Sequence, residues 1–227
     1  MPLRVVPRRD RKLNAFVKKA EFRELGKKEE MWNVGDAAVH VALVRRGHVL
    51  LVDPGPSPGR ERTAAVAGPW EIAGEEALVD GALRPLRAVA GEPSQVQLLA
   101  ASALRAVLRS SNRTFVAFME ALASDLDVAR RLGAGSAGPP ARARIAAVLR
   151  DLGRRLGGEG EAPRIPIRIT HRTLADLAGV HRSTVTTVLN DWIYAGLLGE
   201  AEIGVRILDP EGLRKAATAR SPRRGTR

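Results

Sequence analysis

The side chains best suited to chemistry in this chain gather between Thr170 and Asn190. At about 100° per residue, a helix here puts Arg182, Ser183, Thr186, Thr187 and Asn190 on one side. Guanidinium, hydroxyl and carboxamide groups donate to or accept from base edges and phosphate oxygens, and none of the five residues is acidic. Arg182, at the N-terminal end of the row, suits a two-pronged contact with guanine. Ser183 and Thr187 suit bases or thymine methyls, while Thr186 and Asn190 suit phosphates. Thr170 reads as the N-cap of a preceding helix, which would set His171 and Arg172 toward a nucleic-acid backbone. His181 reads as a cap of the second helix. The competing interpretation is a helical hairpin whose polar face is merely solvated.

Two helices can present such a row only if they cross steeply over a tight turn. Ala175 supplies the small residue at the crossing, and Gly179, four residues on, the left-handed turn. Val185 and Val188 would be buried against the first helix, with Leu174, Ala178, Val180 and Leu189 completing a small core. These positions agree in register, which a lone alanine and glycine four apart would not. Downstream, 196–199 and 205–208 have the texture of a two-stranded wing, with Arg206 within reach of phosphate. Asp209-Pro210-Glu211 then supplies a cap, a proline at the first helical position and an early acid, opening a last helix.

Upstream the texture differs. Between Met31 and Leu99, short apolar runs (39–44, 49–52, 63–66) alternate with Gly/Pro breaks such as 53–59. They read as strands of an antiparallel barrel or roll. A short helix is expected from Ala101 to Leu108. Phe115, Met119, Leu122, Leu126 and Ala129 then form an apolar stripe on a helix of about 20 residues. Gly133–Gly138 ends it, Pro139-Pro140 opens the next helix, and Ile145, Val148, Leu149 and Leu152 form that helix's buried face. The fold class is therefore α+β. Its expected parts are a basic N-terminal arm (1–21), a β-roll domain (22–110), a long helix and hinge (111–137), a winged helix-turn-helix domain (138–218) and a basic tail (219–227) expected to be disordered. Gly157–Pro163 reads as a flexible joint.

The 227 residues carry a formal net charge of +12. That balance attracts polyanions, duplex DNA among them, although a basic surface also serves solubility. No apolar run is long enough to span a membrane, and the first residues lack the apolar core of a secretory signal. A cytoplasmic, nucleoid-associated protein is expected, with no membrane partner. With no cysteine there is no disulfide and no thiolate metal site. His40 and His48, the histidines of the roll, read as surface residues rather than ligands, so no metal is expected. No P-loop, nucleophile elbow or zinc-protease motif is present, and isolated Glu75, Glu76 and Asp80 do not make an active site. An enzyme is not expected.

From Ile169 to Val185 the residues resemble the DNA-binding signature of the CRP/FNR superfamily of bacterial regulators. The resemblance extends from about Leu25 to Ala217, through Gly35-Asp36-Ala37-Ala38, the Gly47 turn, Gly74-Glu75-Glu76-Ala77-Leu78 and Arg142-Ala143-Arg144-Ile145-Ala146. It implies a homodimer joined along the Phe115–Ala129 helix and two recognition helices in successive major grooves of a near-palindromic site. Activation through RNA polymerase is implied as well. The stripe alone is equally consistent with packing onto the chain's own roll. A general, architectural DNA-binding protein with little sequence preference is the alternative function.

Departures from the family pattern are specific. Ser183 stands where the family often has Glu, and Thr187 where it has a second base-reading Arg, which implies a different target sequence. Gly74, Glu75 and Arg84 fall where cyclic-nucleotide binders of the family hold phosphate and ribose, making them a candidate effector pocket. Pro85 replaces the following hydroxyl residue and has no N–H to donate. Leu83 and Arg87 also depart, and Ala129 and Arg130 replace the residue that reads adenine. Two readings of the pocket follow: a cyclic-nucleotide site, or a structural Glu75–Arg84 ion pair. No cofactor follows from the residues themselves.

Overall fold

The structure is a computed structural model that describes residues 3–4, 17, 20–57, 59–132, 139–157, 164–200 and 205–218. The chain forms two compact units, residues 1–131 and 132–227. Most of the basic arm, the Gly133–Gly138 break, most of the joint before Arg164 and the C-terminal tail lie outside the described residues.

Among the described residues of the first unit, nine strands make two antiparallel sheets. They are β1 (Leu3–Arg4), β2 (Glu21–Leu25), β3 (Glu30–Trp32), β4 (His40–Arg46), β5 (Val49–Asp53), β6 (Arg62–Ala67), β7 (Glu71–Ala73), β8 (Arg87–Ala90) and β9 (Ser94–Ala100). One sheet has the order β1-β7-β4-β9-β2 and the other β3-β8-β5-β6, together a β-roll. β4 explains the layering. Its side chains alternate between faces, so Ala42 and Val44 point between the sheets while Val41 and Leu43 point toward the helices. All four are buried. The inter-sheet core is rich in alanine (Ala42, Ala65, Ala67, Ala73, Ala88, Ala90), with Trp32 as its one large ring. β1 and β2 were not anticipated. β1 pairs with β7, Leu3 opposite Ile72, and Val17 is buried in the helix-side core, so parts of the basic arm belong to the roll.

Two helices follow, α1 (Ala101–Ser110) and α2 (Asn112–Leu132), with a 3-10 turn at Glu75–Leu78 packed beside α1. In the second unit α3 (Ala141–Leu156) buries Ile145, Val148, Leu149 and Leu152, the four residues expected on its inner face. Then come β10 (Arg164–Ile165), α4 (His171–Ala178), α5 (Arg182–Tyr194), β11 (Leu198–Glu200), β12 (Val205–Ile207) and α6 (Pro210–Thr218). The wing has three strands in the order β10-β12-β11, β10 being the one its sequence did not announce. Asp209 accepts from the Gly212 N–H at 2.7 Å and so caps α6 as its position suggested.

Candidate DNA-binding site

Each end of α4 is fixed by its own residues. At its start the Thr170 hydroxyl accepts from the Thr173 N–H at 3.0 Å, which satisfies a donor the helix cannot pair. At its end Gly179 adopts φ 60°, the left-handed conformation that costs glycine nothing. The Gly179 N–H reaches the Asp176 carbonyl at 3.2 Å and the Val180 N–H the Ala175 carbonyl at 3.0 Å. That paired closure is a Schellman motif, and it swings the chain directly into α5. Ala175, Leu174 and Ala178 on one helix and Val185, Val188 and Leu189 on the other are buried, while Val180 is half-buried.

A brace from outside the hairpin holds α5 as well. Arg142, at the start of α3, meets Asp191 at 2.8 Å and lies over the Trp192 ring, 5.4 Å from its centre. Neither Arg142 nor Asp191 stood out in the sequence as positioning residues. The cue was weak: one acid stands on an otherwise non-acidic helix.

On the outward side Arg182, Ser183, Thr187 and Asn190 are exposed and Thr186 is half-buried. Their head groups differ in what they have left to offer. Thr187 donates to the Ser183 carbonyl at 3.1 Å, and Thr186 donates to the Arg182 carbonyl at 3.2 Å. Thr186 also meets His171 Nδ1 at 3.0 Å, so that histidine links α4 to α5. His181 caps α5: its Nδ1 accepts from the Ser183 N–H at 3.3 Å and lies 2.7 Å from the Ser183 hydroxyl. The three hydroxyls are therefore engaged within the protein. Arg172, expected at a phosphate, pairs with Asp176 at 3.1 Å. Arg206 is exposed on the wing. Only Arg182 and Asn190 in the outward row have head groups with no protein partner among the described residues.

Residues 143–216 match the Crp-like helix-turn-helix domain family. Over 182 residues the chain is 33% identical to the cyclic AMP receptor protein of Thermus thermophilus, covering 76% of this chain and 77% of that one. The chain belongs to the CRP/FNR family of transcription regulators. Among solved structures, FixK2 of Bradyrhizobium japonicum shares the fold (TM-score 0.70, 22% identity, 89% of this chain and 99% of that one). So does a CRP-family transcriptional regulator of Thermus thermophilus (TM-score 0.62, 25% identity, 87% and 97%). This member is thus a transcription regulator with a helix-turn-helix DNA-binding domain, and its relatives are regulators rather than enzymes. No helix among the described residues is long and apolar enough to cross a membrane.

In the regulator's β-roll, Gly74 and Arg84 do come together. Arg84 is 3% exposed, and its Nη1 donates to the Gly74 carbonyl at 3.2 Å. Gly74 sits at φ 86°, and a Cβ there would fall 2.5 Å from Arg84 Nη1 and 2.9 Å from the Trp32 ring. The expected ion pair needs correction: Arg84 pairs with Glu76 at 2.7 Å, not with Glu75. The 3-10 turn turns successive acids to different sides, and the second of them faces the guanidinium. Arg84 Nη2 also donates to the His40 carbonyl, and the guanidinium stacks on Trp32 at 3.9 Å. Pro85 has no N–H to donate, and an anion on Nη1 would have to displace Glu76, while Arg84 Nε is buried with no hydrogen-bond partner among the described residues.

His48 also needs correction. It is buried where two turns meet, each carrying the chain from one sheet to the other, not on the surface, and its ring lies against Gly91, where a Cβ would come within 2.0 Å. Nδ1 is 3.0 Å from a Glu92 carboxylate oxygen. Burial pushes the imidazole below its ordinary pKa against the opposing pull of Glu92, so its place is structural. His40 is exposed. No group of three or more acidic or histidine ligands suited to a metal occurs among the described residues.

The α2 stripe divides. Phe118, absent from the expected stripe, is 6% exposed and packs into the helix-side core with Leu104 and Leu99, and Leu122 packs against the same cluster. Phe115 and Met119 remain 46% and 47% exposed, and Val116 beside them is exposed too. Phe115, Phe118 and Met119 line a groove of about 500 Å³ with Leu78, Leu108 and Arg109. The side chains of Leu126 and Ala129 lie outside the described ones. Phe118 was findable, being three residues after Phe115 and four before Leu122.

Proposed function

We propose that this regulator binds a near-palindromic duplex as a homodimer and activates transcription by contact with RNA polymerase, reading sequence through the outward row of α5. The observation that carries the proposal is the exposed Arg182, without a partner among the described residues, at the N-terminal end of a helix whose other face is locked by a cap, a Schellman turn and the Arg142–Asp191 brace. A rigid support lets a guanidinium meet guanine O6 and N7 together. Ser183 and Thr187 sit beside it as acceptors and methyl contacts for bases. Thr170, His171, Arg172, Thr186, Asn190 and Arg206 position the domain on phosphates. Relatives that carry Glu and Arg where this chain has Ser183 and Thr187 would read different bases, so the preferred site differs from theirs.

Homodimerisation rests on α2. Its apolar surface is wider than the roll can cover: Phe118 and Leu122 face inward while Phe115, Val116 and Met119 remain in solvent. Exposed large apolar side chains in a contiguous strip mark association surfaces. A second copy would bring a second α5, and two such helices match half-sites about one helical turn apart.

Selection of bound sequences from a random duplex pool tests the reading. A two-fold-symmetric consensus, bound by a species of twice the chain mass, is expected. Binding that falls steeply with salt but enriches no sequence would replace it with an architectural role.

A further inference from the structure

Among the described residues of the roll, Arg84 is the arginine buried within its own unit. Arg84 has its guanidinium face on Trp32, Nη1 on the Gly74 carbonyl and the Glu76 carboxylate, and Nη2 on the His40 carbonyl, while its Nε is buried with no hydrogen-bond partner among the described residues. The middle of the same segment is fastened as well: Arg105 of α1 donates to the Ala77 and Leu78 carbonyls at 3.2 Å each and pairs with Asp80 at 3.0 Å. Arg84 thus holds Gly74 and Glu76, and Arg105 holds the residues that follow them.

We propose that this β-roll is self-liganded: the Glu76 carboxylate takes the anion position on Arg84, and the Gly74–Leu83 segment is ordered without any diffusible anion. The chemistry is that of charge-assisted recognition. A carboxylate and a phosphate oxygen compete for the same N–H donors with the same sign of charge. With Glu76 in place, an incoming phosphate meets a neutralised guanidinium and a nearby like charge, and displacing Glu76 would leave a half-buried carboxylate without its cation. Trp32 adds to the lock because its indole N–H donates to the Leu86 carbonyl at 3.1 Å, which fixes the ring under the guanidinium.

The test uses the full chain, with cyclic AMP, cyclic GMP and inorganic phosphate as probes. Calorimetric titration of the wild type to millimolar cyclic nucleotide should give no saturable heat, and its melting temperature should ignore phosphate at constant ionic strength. Glu76→Ala uncovers the anion position. It should melt lower than the wild type, recover most of the loss in phosphate but not in chloride, and bind phosphate about tenfold or more tightly than the wild type, a difference of about 1.4 kcal/mol. A merely structural loss would not be rescued by an anion. If Glu76→Ala does not fold, Glu76→Gln keeps the side chain's size and removes only its charge, with the same phosphate rescue expected. Saturable cyclic-nucleotide binding by the wild type that disappears in Arg84→Gln overturns the proposal, as does a Glu76 variant indifferent to phosphate.

Discussion

Two arginines define the division of labour in this protein. Arg84 is buried in the first unit with carbonyls, a carboxylate and an aromatic face around it. Arg182 stands exposed in the second unit with no partner for its guanidinium among the described residues. The chemical group is the same and the surroundings are opposite. A buried guanidinium must be satisfied, because leaving its charge unpaired costs several kcal/mol. An exposed one is satisfied by water and can exchange that water for a base or phosphate. The two units therefore differ in how they can respond to a partner: the second keeps an exposed cation on a rigid support, whereas the first holds both terminal nitrogens of its own on internal acceptors and leaves only Nε buried without a partner among the described residues.

Removing each arginine sharpens the contrast, and Arg84→Ala should have the larger effect on the fold. It removes one partner of a buried pair and strands Glu76, at a cost of about 3 kcal/mol in unfolding free energy by denaturant titration. Arg84→Lys should recover little, since a compact ammonium cannot reach acceptors on two sides or stack as a plane. A loss below about 1 kcal/mol for Arg84→Ala would mean that the cluster is not the lock described above. Arg182→Ala should leave stability within about 0.5 kcal/mol, as surface substitutions do. It should weaken binding to the preferred duplex by about 1–3 kcal/mol and relax preference at one base pair. Equal weakening on every sequence would make Arg182 a phosphate contact.

What the sequence disclosed follows the same boundary. The helix-turn-helix was legible because its constraints are local. Thr170 caps three residues ahead, Gly179 closes the helix it follows, and Ala175 and Val185 meet across a single turn. The long helices and three strands of the roll, β4, β5 and β6, were legible from apolar period and breakers. What escaped depends on residues far apart in the chain. β1 and β10 are two residues each and exist only through partners about 70 and 40 positions away. His48 is buried because two separate turns between the sheets converge on it. That Arg84 pairs with Glu76 rather than Glu75 is decided by the hand of a 3-10 turn, which charge spacing does not report.

Within the second unit the local devices can be weighed directly. Thr170→Ala removes the hydroxyl that accepts from Thr173 N–H and should cost about 1 kcal/mol, the usual value of an N-cap. Thr170→Ser should restore it. Because the cap fixes the start of the helix that carries His171 and Arg172, DNA affinity should fall with it while base preference stays unchanged. A changed base preference would mean that Thr170 touches the bases itself.

The two buried tryptophans give the finest version of the comparison between units. Trp32 donates its indole N–H to the Leu86 carbonyl at 3.1 Å, while the indole N–H of Trp192 is buried with no hydrogen-bond partner. Both rings lie beside an arginine, Arg84 at 3.9 Å and Arg142 at 5.4 Å. Burying an unpaired donor is unfavourable, so replacing Trp192 by phenylalanine removes a penalty at the same time as it removes packing. Trp32→Phe removes packing and also leaves a carbonyl without its donor. Thermal or denaturant unfolding should therefore show Trp192→Phe as the milder change, by about 1 kcal/mol, the net worth of one hydrogen bond. Equal losses would mean that the Trp192 N–H finds an acceptor, such as a bridging water.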